Sequence, residues 1–142
     1  MNRLTIRRPI RNCSLLLETL AQFYEGLKDG DEVRKRLGIN SSEFYIRFLS
    51  HSSFILKDHF SEETARLFYK TVRCGILHQA ETKDSTLIRY VSEENRLLLY
   101  KVTKDRKGLE IYWARFHEMI VEEYTSYCNG LRQNKDEKYR EN

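Results

Sequence analysis

Apolar residues recur at steps of three and four in four stretches of the chain, and this pattern predicts four main helices. The first covers 15–28, the second runs from Asn40 to about 58, and the third begins at Ser61. The fourth begins at Leu109 and has the most regular apolar period, formed by Leu109, Trp113, Phe116, Ile120, Tyr124, Tyr127 and Leu131. A stripe this continuous is expected to face the core or a partner helix.

Polar residues and glycines mark the ends of these helices. Asn40, with Glu43 three residues later, has the spacing of a capping box, and Ser61 is a second N-cap. A short charged helical turn is predicted at 32–37, closed by Gly38. The predicted boundaries therefore rest on local hydrogen-bonding chemistry as well as on the apolar period.

Both ends of the chain are strongly charged. Residues 1–11 contain four arginines, and Pro9 is expected to keep this segment from forming one continuous helix. We expect this basic N-terminal arm to be a loosely docked terminus, with contact to RNA phosphates as the alternative. Residues 133–142 are predicted to be a disordered charged tail.

The segment before the last helix changes from helical to β character. Residues 86–91 (TLIRYV) and 96–102 (RLLLYKV) have β-rich composition and flank a polar stretch at 92–95, which predicts a β-hairpin. The chain is therefore expected to form a single, mainly all-α domain over 1–142. Its predicted architecture is an antiparallel up-and-down four-helix bundle with a small β-hairpin before the last helix.

Composition limits the location and the chemistry. The 142 residues carry a net charge of +4, from 25 basic and 21 acidic side chains, which permits a polyanionic partner without requiring one. Three cysteines without a C-x-x-C pair argue against a disulfide framework and favour a reducing compartment. No apolar run is long enough to span a membrane, and no cofactor-binding motif is present. We expect a cytoplasmic protein that uses neither a metal nor another cofactor and does not bind a membrane.

The second predicted helix carries the sequence Ser50-His51-Ser52-Ser53. A serine beside a histidine suggests a nucleophile with its base, but immediate neighbours on a regular helix do not face each other. We therefore expect the serine hydroxyls to bond to preceding carbonyl groups. His51 and His59 lack the four-residue spacing that places two ligands on one helix face, which argues against a zinc site.

The third predicted helix carries an arginine and a histidine five positions apart, Arg73-Cys-Gly-Ile-Leu-His78. A guanidinium binds phosphate, whereas an imidazole exchanges a proton near neutral pH. Gly75 between them costs a helix about 1 kcal/mol relative to alanine and leaves room for a close approach. Because positions five apart on an ideal helix point roughly 140° away from each other, a compact site needs either an early helix end or two copies of the pair. The structural alternative is that both residues only suit the negative end of the helix dipole.

The string VRCGILHQAETK at 72–83 resembles the R-x4-6-H motif of the HEPN superfamily, in the form found in small bacterial HEPN-like proteins. The resemblance implies a helical bundle and a metal-independent RNA endonuclease, active as a homodimer with a composite Arg/His site. Arg73 would hold the scissile phosphate, and His78 would act as general acid or base to give 2′,3′-cyclic phosphate products. The expected substrate-binding residues are Tyr69, Glu81 and Lys83. The family further implies phage defence or a toxin–antitoxin system, with RNA and a partner protein as binding partners.

Two positions depart from the family pattern. Cys74 follows the arginine, where many active members carry a polar residue. Ala80 stands where members modified by a partner nucleotidyltransferase carry a tyrosine, so that mechanism is not indicated. The alternative function is a HEPN-like module without catalysis, which acts as a binding or regulatory protein such as an antitoxin or a nucleotide or RNA sensor.

Overall fold

The structure, a computed structural model, describes residues 3–74, 86–89, 96–102 and 107–133, and it is mostly helical with a small three-stranded sheet. The α-helices are α1 Arg3–Glu25, α2 Gly30–Leu37, α3 Ser41–Arg47, α4 Glu62–Phe68 and α5 Trp113–Arg132. The strands are β1 Leu87–Arg89, β2 Leu98–Val102 and β3 Lys107–Tyr112. A 3₁₀ turn at Leu56–Asp58 precedes α4.

The first helix is longer than its apolar period predicts. α1 begins at Arg3 and passes through Pro9, so the prediction that this proline keeps residues 1–11 from forming one continuous helix is wrong. A proline removes one backbone donor, and fewer than two helical turns precede this one, so the loss falls near the start of the helix. The helix continues past Pro9 to Glu25.

α1 ends at Glu25 rather than near 28, because Gly26 takes the left-handed conformation (φ 66°). The Gly26 N–H donates to the Phe23 carbonyl (3.1 Å), and the Leu27 N–H donates to the Gln22 carbonyl (2.8 Å). These two bonds form a Schellman motif, which satisfies carbonyl groups that a helix end otherwise leaves without partners.

The predicted N-caps of α3 and α4 are confirmed. Asn40 Oδ1 accepts the Glu43 N–H (2.9 Å), and Ser61 Oγ accepts the Thr64 N–H (3.1 Å). Gly38, at φ 67°, ends α2 as expected. Caps of this kind typically stabilise a helix by about 1 kcal/mol, and they explain why these helix starts follow from the local sequence.

Two helices widen into π turns. α3 continues as a π turn at Phe48–Ser52, so the second predicted helix does not run unbroken to 58. α4 continues as a π turn at Tyr69–Arg73, which includes the motif arginine. Such turns are rare and occur often at functional sites. Because a π turn holds more residues than a regular turn, it changes the direction in which the following side chains point.

The sheet has the strand order β1-β3-β2, with β1 parallel and β2 antiparallel to β3. The predicted hairpin between 86–91 and 96–102 is therefore wrong, because β3 lies between the two strands. The predicted helix start at Leu109 is also wrong: Leu109 and Ile111 belong to β3 and are buried, and α5 begins at Trp113. Residues buried on both faces of a central strand form a continuous apolar run, which periodicity does not distinguish from a helix.

The inner face of α5 is formed by Phe116, Met119, Ile120, Glu123 and Tyr127. Tyr124, which the apolar period places in the stripe, is instead 50% exposed. The neighbouring Glu123 points into the core. Phe116 joins α5 to α4 through the Phe68 ring, with the two centroids 5.4 Å apart, so α4 and its π turn rest directly on the core.

Within the described ranges, no helix is both long enough and apolar enough to cross a membrane. The predicted tail lies outside those ranges except for Gln133, which forms a turn at the end of α5. The proposed contact of residues 1–11 with RNA remains a prediction.

Candidate functional site

The predicted site residues divide into two groups. Arg73 and Tyr69 lie in the described part of the chain, whereas His78, Glu81 and Lys83 lie outside it. The structure therefore gives the surroundings of the motif arginine. The roles of the other three residues remain predictions.

A carboxylate from the first helix holds Arg73. Its Nη2 donates to Glu18 Oε2 at 2.7 Å, and the Arg73 and Glu18 side chains are only 18% and 22% exposed. The Tyr69 ring packs against the guanidinium, with 5.6 Å from Cζ to the ring centroid. Solvent screens a partly buried pair less than a surface pair, so the pair fixes the position of the arginine.

Burial and the Glu18 carboxylate act on the pKa of Arg73 in opposite directions. Burial, the largest single influence, lowers this pKa, but the hydrogen bond and charge of Glu18 raise it, and the net pKa is raised. Arg73 is therefore a permanent cation. Burial, together with the neighbouring Cys74, also raises the pKa of the Tyr69 phenol, so Tyr69 is neutral near pH 7.

One donor of Arg73 lacks a partner in the described part of the chain: Nε is buried and makes no hydrogen bond there. A buried donor without an acceptor costs roughly 1–3 kcal/mol, and more when the group is charged. The Nε–H therefore marks a place for an acceptor.

Packed residues of α1 and α3 support this site. Tyr45 is fully buried, its hydroxyl shares a hydrogen bond with Ser14 (3.2 Å), and its ring meets the Tyr69 ring edge-on with centroids 5.4 Å apart.

Burial raises the pKa of the Cys13 thiol, next to Ser14, to about 11. A thiol with this pKa is protonated at neutral pH and is a poor nucleophile.

The π turn of α4 is also tied to the sheet, through two buried threonines. Thr86 Oγ1 donates to Thr71 Oγ1 (2.9 Å) and accepts the Leu109 N–H (3.2 Å). Thr71 Oγ1 donates in turn to the Leu67 carbonyl (2.7 Å). These hydrogen bonds connect the π turn that carries Arg73 to the sheet, which favours a fixed position for the guanidinium.

The Ser50 and His51 side chains do face each other, so the expectation that they point apart is wrong. Ser50 Oγ lies 2.7 Å from His51 Nδ1, within the π turn that continues α3. The second expectation is confirmed, since Ser50 Oγ donates to the Ile46 carbonyl (2.8 Å). Because this bond uses the one hydroxyl hydrogen, we assign Nδ1–H as the donor to Oγ. The pair is therefore not an activated nucleophile.

Sequence reasoning missed a buried carboxylate on α5. Glu123 is fully buried and accepts the backbone N–H groups of Phe54 (2.6 Å), Ile55 (2.8 Å) and Leu56 (3.2 Å), together with the Tyr24 hydroxyl (2.7 Å). Four donors offset the cost of burying a charge. The only sequence signal is an acidic residue at an inward position of a helix. Glu123 joins α1, α5 and the segment before α4, and we assign it a structural role.

A second buried carboxylate lies in the sheet. Glu110 of β3 accepts the Tyr112 hydroxyl (2.8 Å) and pairs with Arg89 of β1 (3.4 Å). This ion pair joins β1 to β3, and we assign Arg89 a structural role in the sheet. No group of three or more side chains suited to a metal ion occurs in the part of the chain that the structure describes.

Comparison with known proteins gives no match for this chain, whether with protein families, with curated proteins or with solved structures. The interpretation of the Arg73 site therefore rests on the motif at 72–83 and on the geometry around its arginine.

Proposed function

We propose that the protein is a metal-independent RNA endonuclease of HEPN type, with a helical bundle that dimerises to bring Arg73 and His78 from two copies into one composite site. The observation that most supports this proposal is the set of contacts that the Arg73 guanidinium makes. Its guanidinium is held by Glu18 and by the Tyr69 ring, and 18% of the side chain remains exposed to solvent. An RNA phosphate oxygen matches the guanidinium in charge and in hydrogen-bonding character.

The proposed reaction needs no metal. His78 removes the proton from a ribose 2′-OH, and the 2′ oxygen forms a bond to the adjacent phosphorus. The bond from phosphorus to the 5′ oxygen breaks, and that oxygen takes a proton from water, while His78 returns its proton to the solvent. The products are a 2′,3′-cyclic phosphate and a 5′-hydroxyl. Arg73 stabilises the charge that develops on the phosphate oxygens in the transition state.

The neighbours of Arg73 have positioning roles in this proposal. Glu18 orients the guanidinium through a single hydrogen bond to Nη2. A guanidinium carries five N–H donors, so one bond to Glu18 leaves others for phosphate oxygens. Tyr69 supports the guanidinium plane from one side. Glu81 and Lys83 follow the motif in the sequence, and we propose that they contribute to RNA binding.

The biological setting follows from the family resemblance alone. We propose a cytoplasmic enzyme that acts on RNA during phage defence or as part of a toxin–antitoxin system, where a partner protein controls it. This setting is proposed together with the homodimer.

RNA cleavage by the purified protein in excess chelator tests the proposal. We expect the unmodified chain to cleave single-stranded RNA and to leave 2′,3′-cyclic phosphate ends, and we expect Arg73→Ala and His78→Ala each to lose this cleavage. His59→Ala, an exposed histidine, is the matched control and should retain it. Cleavage that needs a divalent metal, or that persists in His78→Ala, would contradict the proposal.

A second function is favoured by one observation: Glu18 already supplies a counter-charge to Arg73, as in an ion pair whose role is structural. In this alternative the protein is a HEPN-like binding or regulatory module without catalysis. It predicts RNA or nucleotide binding by the unmodified chain with no cleavage of several RNA substrates. Arg73→Ala would then lower the stability of the fold without removing any activity.

A further inference from the structure

An open cleft of about 190 Å³ lies beside the motif, between β3 and the helix formed by α4 and its π turn. Its lining residues are Glu63, Arg66, Leu67, Lys70 and Lys107. Pockets that enclose drug-sized ligands measure roughly 300–1,000 Å³. This cleft therefore accepts one small group, such as a single unit of a polymer that continues past it.

The lining combines positive charge with apolar surface. Among the described lining residues, Arg66, Lys70 and Lys107 are basic and Glu63 is acidic. Leu67 is partly buried and offers an apolar wall. Long basic side chains also present aliphatic stems beneath their charged ends. A nucleotide has the matching combination, since its flat base packs on apolar surface and its phosphate binds cations.

The cleft lies close to the proposed active site in the sequence. Lys70 and Arg73 belong to the same π turn, three residues apart. Residues three apart on a helical surface are neighbours, with roughly 5–6 Å between their Cβ atoms. A strand whose phosphate reaches Arg73 therefore passes close to Lys70.

The ion pairs described for Lys107 and Arg66 are exposed. Lys107 Nζ lies 3.0 Å from Glu63 Oε1, and both side chains are about 60% exposed. Arg66 pairs with Glu43 and Glu62 on the surface of α3 and α4. Exposed pairs contribute little net stability because water and salt screen them. A phosphate group therefore competes with Glu63 for Lys107.

We propose that this cleft binds one nucleotide of single-stranded RNA, next to the nucleotide whose phosphate lies at Arg73. The position of this subsite relative to the cut rests on the proposed function. The binding of the nucleotide depends only on the cleft, so it is measurable without cleavage.

Binding of a short fluorescent single-stranded RNA to the full chain, measured by anisotropy in chelator, tests the inference. All variants carry His78→Ala so that the RNA stays intact. We expect Lys70→Ala and Lys107→Ala each to weaken binding by about three- to tenfold and to reduce the slope of log K against log salt by about 0.7. Glu63→Gln should strengthen binding, because it removes the carboxylate that competes with phosphate.

Lys35→Ala is the matched control, because this exposed lysine lies on α2, away from the lining residues. The inference is overturned if Lys70→Ala and Lys107→Ala bind RNA as Lys35→Ala does, or if Glu63→Gln weakens binding. This failure is distinct from that of the nuclease proposal. If the parent chain cleaves RNA but Lys70→Ala binds RNA normally, only the proposal for the cleft is contradicted. If Lys70→Ala binds RNA more weakly but the parent chain does not cleave RNA, only the nuclease proposal is contradicted.

Discussion

Glu18 and Arg73 are 55 positions apart in the chain, and a 2.7 Å hydrogen bond joins their side chains. The bond connects α1 to the π turn of α4, where both side chains are mostly buried. It gives the arginine a fixed direction before any ligand arrives, which reduces the ordering needed on binding. In the proposed enzyme, Glu18 is therefore a positioning residue.

Removing Glu18 should destabilise the fold. We expect Glu18→Ala to lower the free energy of unfolding by about 1–3 kcal/mol, because it leaves the Arg73 charge partly buried without its partner. Glu18→Gln keeps an acceptor for Nη2 and should cost less. Urea denaturation measures both. The control is Glu122→Ala, which removes a 3.6 Å surface contact with Arg115. If Glu18→Ala and Glu122→Ala destabilise the fold equally, Glu18 does not hold Arg73 in place.

Glu123 should be among the residues to which stability is most sensitive. Its carboxylate satisfies three backbone N–H groups and one hydroxyl. We expect Glu123→Ala to cost about 3–5 kcal/mol, because these donors would remain buried without an acceptor. Tyr24→Phe removes one of the four bonds and should cost about 1 kcal/mol. Urea denaturation midpoints measure these losses of stability. Tyr124→Ala, at an exposed neighbouring position, is the control, and Glu123→Ala must destabilise the fold more than Tyr124→Ala does.

Some of this structure follows from local sequence and some does not. Asn40 and Ser61 start helices because each accepts a hydrogen bond from an N–H three residues later, and such bonds are readable in a short window. Glu123 is different, since its donors lie on a segment 67–69 positions earlier. Nothing in the sequence around α5 indicates that these amides will converge there.

The error at Leu109 has a related cause. Leu109 continues the three- and four-residue spacing of α5, so the apolar period extends the helix backwards into β3. What places Leu109 in a strand is its pairing with Tyr100 of β2 and the parallel alignment of β1 on the other side. Strand pairing is a non-local contact, and a periodic pattern within one segment contains no information about it. The motif arginine was found from spacing, but its partner Glu18 required the fold.

Stability at alkaline pH should depend on Cys13. Burial raises the pKa of this thiol from 9.0 to about 11, so the folded state favours the protonated form. The contribution of the thiol to stability is therefore fully present below pH 9 and is lost as the pH rises toward 11. Burial also raises the pKa of the Tyr45 phenol. The contribution of Tyr45 to stability is therefore likewise lost as the pH rises.

Cys13→Ser separates the thiol from the tyrosines, because a serine hydroxyl does not titrate in this range. We expect the thermal midpoint of the unmodified chain to fall more steeply between pH 9 and 11 than that of Cys13→Ser. Parallel curves for the two proteins would show that the Cys13 thiol is not buried in the folded state.

The composite site is the central claim, and complementation between inactive variants tests it most directly. Arg73→Ala and His78→Ala are co-expressed, purified together and assayed for RNA cleavage in chelator. If each site takes its arginine from one copy and its histidine from the other, half of the dimers are mixed and each keeps one intact site of two, which restores roughly a quarter of the unmodified activity. An inactive mixture of well-folded dimers, beside an active unmodified protein, would contradict the composite site.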